Sequence, residues 1–291
     1  MAGEIDLYYA GDAGKECAEF LKDKKTNRLF TFYSEQKSLI EHKGVAPKLF
    51  LDSGAYSAFT KGVSIDIDAY ARFVHEHKDA LSLYANLDNI TDPQKTMENQ
   101  KYLESLGLHP LATFHVGEPL EILQYYCEHY DYVALGGMVP YTRQKPVLEA
   151  WLITVWKIIK EIRPADNKRG TDLKVHGFGL TTFDLVEKYP FHSVDSTSWV
   201  MTGRYGNIFT PWGNICISNE GNVGDKKHFR NLPKFKKDKV TAQIQKFGFT
   251  EEELADIYQK RDEYNILYLL EWAKNYEYKP VQVFMDTLPG F

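Results

Sequence analysis

Short β-forming runs alternate with amphipathic segments along the first two thirds of the chain. The intervening segments repeat apolar residues with the period of a helix, so the pattern is typical of parallel βα units. The predicted strands are Ile5–Ala10, Leu29–Tyr33, Lys48–Leu51, Leu81–Leu87, Leu111–His115, Tyr132–Leu135, Lys174–Phe178 and His192–Val194. The predicted helices are Lys15–Lys25, Ser34–Lys43, Ile67–Lys78, Pro93–Leu106, Pro119–His129, Lys145–Ile162 and Thr182–Lys188.

Eight strands separated by seven helices favour an α/β fold of the closed (β/α)8 TIM-barrel type over an open sheet. The 291 residues suffice for it, because one such barrel takes about 250 residues. The composition changes after residue 220: a basic stretch, Asp225–Lys239, precedes a helical segment, Thr250–Tyr276, that begins with a capping-box pattern. We therefore expect a catalytic barrel over residues 1–220 and, over 221–291, a basic connector and helical extension packed on it.

Composition limits the partners and the compartment. The three cysteines, Cys17, Cys127 and Cys216, are far apart and form no C-x-x-C pair, which argues against a disulfide framework and a cysteine-based zinc site. Neither a signal-peptide pattern nor a long apolar run is present, so we expect a soluble cytoplasmic protein with no membrane partner. The net charge is −5, so a nucleic-acid partner requires a local basic patch.

Acidic residues, glycines and a histidine follow the predicted strands. They are Asp52, Asp88, His115, Gly136, Gly137, Gly177 and Asp195. Parallel strands of a barrel end at one rim, where active sites are built, so these residues are expected to converge. Each alone has an ordinary explanation as a solvated acid, an Asx cap or a turn glycine. Three carboxylates at strand ends favour an active site.

The local sequences suit a flat ligand. In FLDSGAYSA, Asp52 follows an apolar strand, Gly54 permits a tight turn and Tyr56 offers a stacking face. The glycines in YVALGGMV and VHGFGL have no side chains, so a flat ring can approach the backbone closely there. In HSVDSTSWV, Asp195 ends the eighth strand, and Arg204 follows in GRYGNIF as a cation for a phosphate or a base edge.

The motifs DSGAY, ALGG, HGFG and VDSTSW…GRYGNIF occur in this order at the strand ends. The set resembles the tRNA-guanine transglycosylase superfamily, and most closely its shortened branch that inserts 7-deazaguanines into DNA in phage and bacterial modification systems. The resemblance covers about residues 48–210. The family pattern is D-S-G-G, Tyr or Phe, then Gln. This chain departs from it at two positions, with Ala55 in place of the second Gly and Ser57 in place of the Gln.

The resemblance implies a role for each matching position. Asp195 corresponds to the nucleophile that attacks C1′ of the target nucleotide and expels guanine. Asp52 corresponds to the general acid/base, and Asp88 to the acid that reads the amino and ring N–H edge. The other implied base-binding residues are Tyr56, Ser53, Gly136, Gly137, His176, Gly177 and His115, the last near a family glutamine. By charge rather than by resemblance, Arg204, Lys226, Lys227 and Arg230 are candidate contacts to a phosphate backbone, and a solvated connector is the alternative for the three residues of the basic stretch. Phe178, Trp199 and Tyr205 are candidates for wedging or stacking, with core packing as the first expectation for each.

The resemblance also bears on substrate and cofactors. The tRNA enzymes carry a zinc subdomain with three cysteines and a histidine, whereas this chain has only Cys216 and His228 in that region. We therefore expect no zinc, and the chemistry needs no diffusible cofactor. The missing subdomain favours DNA over tRNA as the substrate polymer, with the target base flipped from a duplex or taken from a single strand. By analogy with retaining glycosidases, the two catalytic carboxyls should lie about 5–5.5 Å apart.

Four alternatives remain at this stage. The first is the same exchange on tRNA without a zinc subdomain. The second is a non-catalytic subunit that only binds nucleic acid, although such a subunit need not keep both Asp52 and Asp195. The third is a metal-dependent barrel hydrolase using His115 and His176, which would usually show an H-x-H pair. The fourth is hydrolysis of a sugar glycoside, which the flat glycine turns suit less well.

Overall fold

The structure is a computed structural model that describes residues 5–142, 144–180, 182–221 and 223–279. The strands are β1 (Asp6–Ala10), β2 (Asn27–Thr31), β3 (Leu49–Asp52), β4 (Leu83–Tyr84), β5 (Ala112–His115), β6 (Tyr132–Gly136), β7 (Lys174–Gly177), β8 (Ser193–Ser196), β9 (Asn207–Ile208) and β10 (Ile215–Cys216). The α-helices are α1 (Lys15–Asp23), α2 (Gln36–Glu41), α3 (Ala55–Thr60), α4 (Ile67–His77), α5 (Pro93–Ser105), α6 (Leu120–His129), α7 (Lys145–Ile162), α8 (Phe183–Lys188), α9 (Ser198–Arg204), α10 (Lys234–Lys246), α11 (Glu251–Asp256) and α12 (Tyr258–Lys274). Short 3-10 helices cover Lys78–Ala80, Val139–Tyr141 and Phe229–Asn231.

Eight strands form one sheet in the order β4-β3-β2-β1-β8-β7-β6-β5, and β9 and β10 form a separate antiparallel pair. The registered pairs within the large sheet are parallel. The fold is therefore α/β with an eight-stranded parallel sheet, consistent with a TIM-like barrel, and this part of the sequence prediction is confirmed. Along the described ranges, no helix is long and apolar enough to cross a bilayer.

Two strands differ from their predicted extent. β4 covers only Leu83–Tyr84, and at the end of the predicted run the carbonyl of Leu87 is paired with a side chain of α5 instead of a strand: Asn99 Nδ2 donates to it at 2.7 Å. A single parallel bridge, between Ala85 and Leu111, continues the pairing. β8 runs to Ser196, two residues past the predicted end, so Asp195 lies within a buried strand.

The chain forms two compact units, and a boundary between them falls inside β8, between Val194 and Asp195. One unit contains Asp6–Leu111 and Asp195–Lys274, and thus the strands β1–β4. Its main core packs one face of α2, α4 and α5 on β2 and β3, and the fully buried rings of Phe30 and Tyr70 belong to it. Burial of these apolar faces is the main contribution to stability.

A second core of this unit joins the β9–β10 pair to α10, α11 and α12. Helix α12 also contacts β1, α1 and α9. Tyr9 Oη of β1 donates to the carbonyl of Ile266 at 2.9 Å. The Asn265 side chain accepts from the amide of Phe209 at 2.9 Å and donates to the carbonyl of Trp199 at 3.2 Å. These buried bonds tie α12 to the first strand and to the segment after β8.

The other unit contains Ala112–Val194 together with described residues near the two chain ends. It places α6, α7 and α8 with the strands β5–β7 and the first half of β8. The apolar stripe of α7 is buried along its length, and Trp156 meets the ring of Phe191 edge-on with a centroid distance of 5.3 Å. The helix predicted from the period of AWLITVWKIIKEI is therefore a packing element, as expected.

A glycine in α9 is required by the packing of α12. A Cβ atom at Gly203 would lie 1.9 Å from Oδ1 of Asp262, and Asp262 is fully buried. We expect Gly203→Ala to lower the free energy of unfolding by about 2–4 kcal/mol through this overpacking. Urea unfolding measures the loss. Met201→Ala, at an exposed position of the same helix, is the control and should change stability by less than about 0.5 kcal/mol; an equal effect of the two substitutions would contradict the packing argument.

Candidate active site

The turn after β3 positions the first predicted catalytic residue. Asp52 ends the strand, and Gly54 follows with a φ of +78°, a conformation that glycine adopts without strain. A Cβ at Gly54 would also lie 2.6 Å from Cβ of Tyr33. The amide of Gly54 donates to Oδ2 of Asp52 at 3.1 Å. The DSG sequence therefore fixes the direction of the Asp52 carboxylate.

Ser53 links this turn to the end of the neighbouring strand. Its fully buried hydroxyl donates to Oδ1 of Asp88 at 3.1 Å. The same oxygen accepts from the amide of Ala55 at 3.3 Å. A hydroxyl that is both donor and acceptor in the core has one orientation, so Ser53 holds the Asp88 carboxylate in place.

The carboxylates of Asp88 and Asp195 lie close enough to Asp52 to act on its charge. The pKa of Asp52 is raised from 3.8 to about 7, first by burial, then by the negative charge of Asp88, then by that of Asp195. Hydrogen bonds from the amides of Gly54 and Ser53 oppose the rise. Asp195 itself is buried in β8. All three carboxylates belong to the same compact unit.

This electrostatic arrangement suits proton transfer. A carboxyl group with a pKa near 7 is present in both protonation states at neutral pH, which is the condition for an efficient general acid and base. A carboxyl group in this state can both donate and accept a proton at neutral pH.

Tyr70 of α4 is a neighbour of the carboxylates that sequence reasoning missed. Its buried hydroxyl donates to the carbonyl of Ala85 at 2.6 Å. Its pKa is raised well above 10, by burial first and then by the charges of Asp52 and Asp88. The phenol therefore stays neutral beside the acids. Its position on the apolar stripe of a helix gave no signal beyond core packing.

Tyr56 lies in the first turn of α3, directly after this site. It exposes 57% of its surface, so its ring is not a core side chain. An exposed aromatic face beside the turn is the condition that the stacking role implied by the resemblance requires.

The predicted base-binding residues of the other unit form their own contacts. His115 ends β5, and its Nδ1 lies 3.1 Å from Oε1 of Glu118, whose other oxygen accepts from the His115 amide at 3.0 Å. A Cβ at Gly136 would lie 2.7 Å from Cδ2 of His115. The imidazole thus fills the space beside Gly136, and the next residue, Gly137, has a φ of +70°. Glu118, which orients the ring, was not identified from the sequence.

His176 and Gly177 are packed inside the same unit. His176 is fully buried, with Nδ1 at 2.5 Å from Oγ of Ser193, and that hydroxyl lies 2.6 Å from Oη of Tyr132. A Cβ at Gly177 would meet the ring of Phe191 at 3.0 Å. The half-buried ring of Phe178 stands edge-on to His176, with a centroid distance of 4.5 Å. A side chain at Gly177 would therefore press on the ring of Phe191.

The remaining candidates differ in accessibility. Trp199 is fully buried in an edge-on contact with Tyr9, which makes it a core residue and unavailable for wedging. Tyr205 is 71% exposed, and Arg204 is exposed in the last turn of α9. The guanidinium of Arg230 donates to the side-chain carbonyl of Asn219.

Four lysines of the basic stretch line a surface cleft, among them the two predicted backbone contacts. Lys226 and Lys227 are exposed and belong to its wall. This cleft shares no lining residue with the carboxylate cluster.

The part of the chain that the structure describes contains no group of three or more His, Cys, Asp or Glu side chains placed to hold a metal ion. His228 is buried, and both ring nitrogens are engaged by the main chain. Nε2 lies 3.1 Å from the carbonyl of Ser218, and Nδ1 accepts from the amide of Arg230 at 3.1 Å. The histidine acts as a cap for the following 3-10 helix.

Neither a scan against protein-family models nor a search of the curated proteins returned a match to this chain.

Proposed function

We propose that the protein is a guanine transglycosylase that exchanges guanine in DNA for a 7-deazaguanine base. The observation that carries the proposal is the cluster of Asp52, Asp88 and Asp195, in which burial and like charge raise the pKa of Asp52 to about 7. The sequence resemblance supplies the identity of the reaction. The fold we propose for it is a closed (β/α)8 barrel with a helical C-terminal extension and without a zinc subdomain.

The first displacement is carried out by Asp195. Its carboxylate attacks C1′ of the target nucleotide, the bond between C1′ and N9 breaks, and the electron pair of that bond leaves with guanine. The developing positive charge on the sugar is stabilised by the same carboxylate before the covalent bond is complete. The product of this step is an ester between Asp195 and C1′, with the strand still attached.

Asp52 exchanges protons with the two bases. In its protonated form it delivers a proton to the departing purine, and as a carboxylate it removes the N9 proton of the incoming 7-deazaguanine. The incoming nitrogen then attacks C1′ and displaces the Asp195 carboxylate, so two inversions give retention. Each turnover returns Asp52 to its starting state, so the reaction needs neither a diffusible cofactor nor a metal.

Asp88 and Tyr56 select the base in this proposal. The Asp88 carboxylate, held by Ser53, accepts hydrogen bonds from the amino group and ring N–H of a guanine-like edge. The exposed ring of Tyr56 provides the stacking face. A site built to hydrogen-bond this edge rejects adenine strongly, because adenine presents no pair of donors to the Asp88 carboxylate.

The proposal is tested by an exchange assay with radiolabelled guanine and labelled 7-deazaguanines. Single-stranded DNA, duplex DNA and tRNA are offered separately, and Asp195→Ala is the control. We expect label to enter DNA with the wild-type protein and not with the variant. Label in tRNA alone would support base exchange but would make tRNA, and not DNA, the substrate. Absence of incorporation into every polymer would contradict base exchange.

A further inference from the structure

We propose that a cleft of about 660 Å³ on the unit that also carries the carboxylates binds a single-stranded polynucleotide. We call it the Trp212 cleft and define it by six of its lining residues: Trp212, Phe235, Lys226, Lys227, Lys236 and Lys239. It is formed by the turn between β9 and β10, the segment before the 3-10 helix Phe229–Asn231, and the first turns of α10. The proposal concerns binding, and it holds whatever reaction the carboxylates perform.

The charge of the cleft favours a polyanion. Four lysines line it and no acidic residue does. None of the four forms an ion pair with a described residue. The whole chain carries a net charge of −5, so this positive surface is local. Phosphate groups spaced along a strand are the ligand that several exposed lysines in one cleft neutralise together.

The aromatic residues distinguish a polynucleotide from other polyanions. Trp212 exposes 57% of its surface and Phe235 exposes 60%. Nζ of Lys239 lies 5.8 Å from the centroid of the Trp212 ring. Exposed rings between lysines match the way in which single strands are held, with bases stacked on aromatic side chains and phosphates on cations. A duplex hides the faces of its bases, so the cleft selects unpaired nucleotides.

The turn that carries Trp212 is fixed by its own hydrogen bonds. The hydroxyl of Thr210 donates to the carbonyl of Gly213 at 2.6 Å and accepts from the amide of Trp212 at 3.2 Å. The amide of Gly213 donates back to the carbonyl of Thr210 at 3.0 Å, and Gly213 has a φ of +101°. Because the backbone is already ordered, stacking on the ring requires little further loss of conformational entropy.

The proposal is tested by fluorescence anisotropy with a dye-labelled 12-residue oligothymidylate, an oligouridylate and a DNA duplex, at several salt concentrations. The main variant replaces Lys226, Lys227, Lys236 and Lys239 by Gln. A matched variant replaces four exposed lysines outside the cleft, Lys15, Lys78, Lys101 and Lys157. Thermal unfolding of both variants controls for folding.

We expect the main variant to bind single strands at least about tenfold more weakly than the wild type. The slope of log Kd against log salt should fall by about 3, because each of the four lysines neutralises a phosphate and about 0.7 counterion is released per phosphate. The matched variant should retain wild-type affinity. Trp212→Ala should weaken binding about tenfold, and Trp212→Phe, which keeps a stacking face, should restore most of it. Tighter binding of oligothymidylate assigns the cleft to DNA, and tighter binding of oligouridylate assigns it to RNA.

Equal affinities of the two lysine variants, or duplex DNA bound as tightly as single strands, would overturn the proposal. Asp195→Ala should bind oligothymidylate like the wild type, because Asp195 does not line the cleft. Failure of base exchange and failure of strand binding are therefore separate results.

Discussion

Asp195→Asn is expected to lower the rate of base exchange by at least about 10³-fold, because an amide of the same shape cannot form the ester with C1′. The substitution also removes one of the charges that raise the pKa of Asp52, so any residual activity should have its pH midpoint shifted downwards. Single-turnover exchange at several pH values measures both effects. Denaturing gels of protein incubated with labelled oligonucleotide should show a covalent adduct for the wild type alone.

Asp166→Asn is the matched control for this experiment, since Asp166 is exposed and lies in the other compact unit. It should exchange at the wild-type rate. If Asp195→Asn kept more than about a tenth of the wild-type rate, the nucleophile would have to be another group.

Asp52→Asn is expected to have opposite effects on activity and stability. Loss of the proton carrier should reduce exchange by about 10²–10⁴-fold. In the wild type, the pKa of Asp52 in the folded state is about 7, above the value of about 3.9 in an unfolded chain. The unfolded state then binds fewer protons between these values, so this group lowers the free energy of unfolding as the pH rises from about 4 to 7.

Asparagine carries no such charge, so the variant should be more stable than the wild type at pH 8, by about 1–3 kcal/mol, and nearly equal to it at pH 4. Urea unfolding of both proteins at the two pH values measures the difference. Asp262, whose pKa is also raised to about 7, is present in both proteins, so its contribution cancels. The same stability difference at pH 4 and pH 8 would show that Asp52 has an ordinary pKa and would remove the electrostatic basis of its role.

The sequence predicted the positions of β3 and β8 well, because a short apolar run directly precedes Asp52 in one and Asp195 in the other. The ends of β3 and β8, and with them Asp52 and Asp195, were placed to within two residues. The exact end of β8 was missed since Asp and Ser have low β propensity, whereas burial in the middle of a sheet overrides propensity.

Features that depend on distant contacts could not be predicted. Tyr70 reads as a core residue of an amphipathic helix, and only the fold brings its hydroxyl near the acids. The bare backbone at Gly136 suggested room for a ligand, but the ring of His115 occupies that space. The exposure of Trp212 likewise depends on how α10 packs, which no local pattern records.

Helix α12 has a consequence for how the protein is made. The bond from Tyr9 to Ile266 joins residues 257 positions apart, and contacts between residues so far apart in sequence are slow to form because they close a long loop. At a synthesis rate of about 5–20 residues per second, about 10–50 s pass between the synthesis of β1 and that of the helix that completes its packing. During synthesis the first four strands therefore present apolar surface and unpaired edges, and nascent chains of this protein should depend on chaperones until α12 emerges.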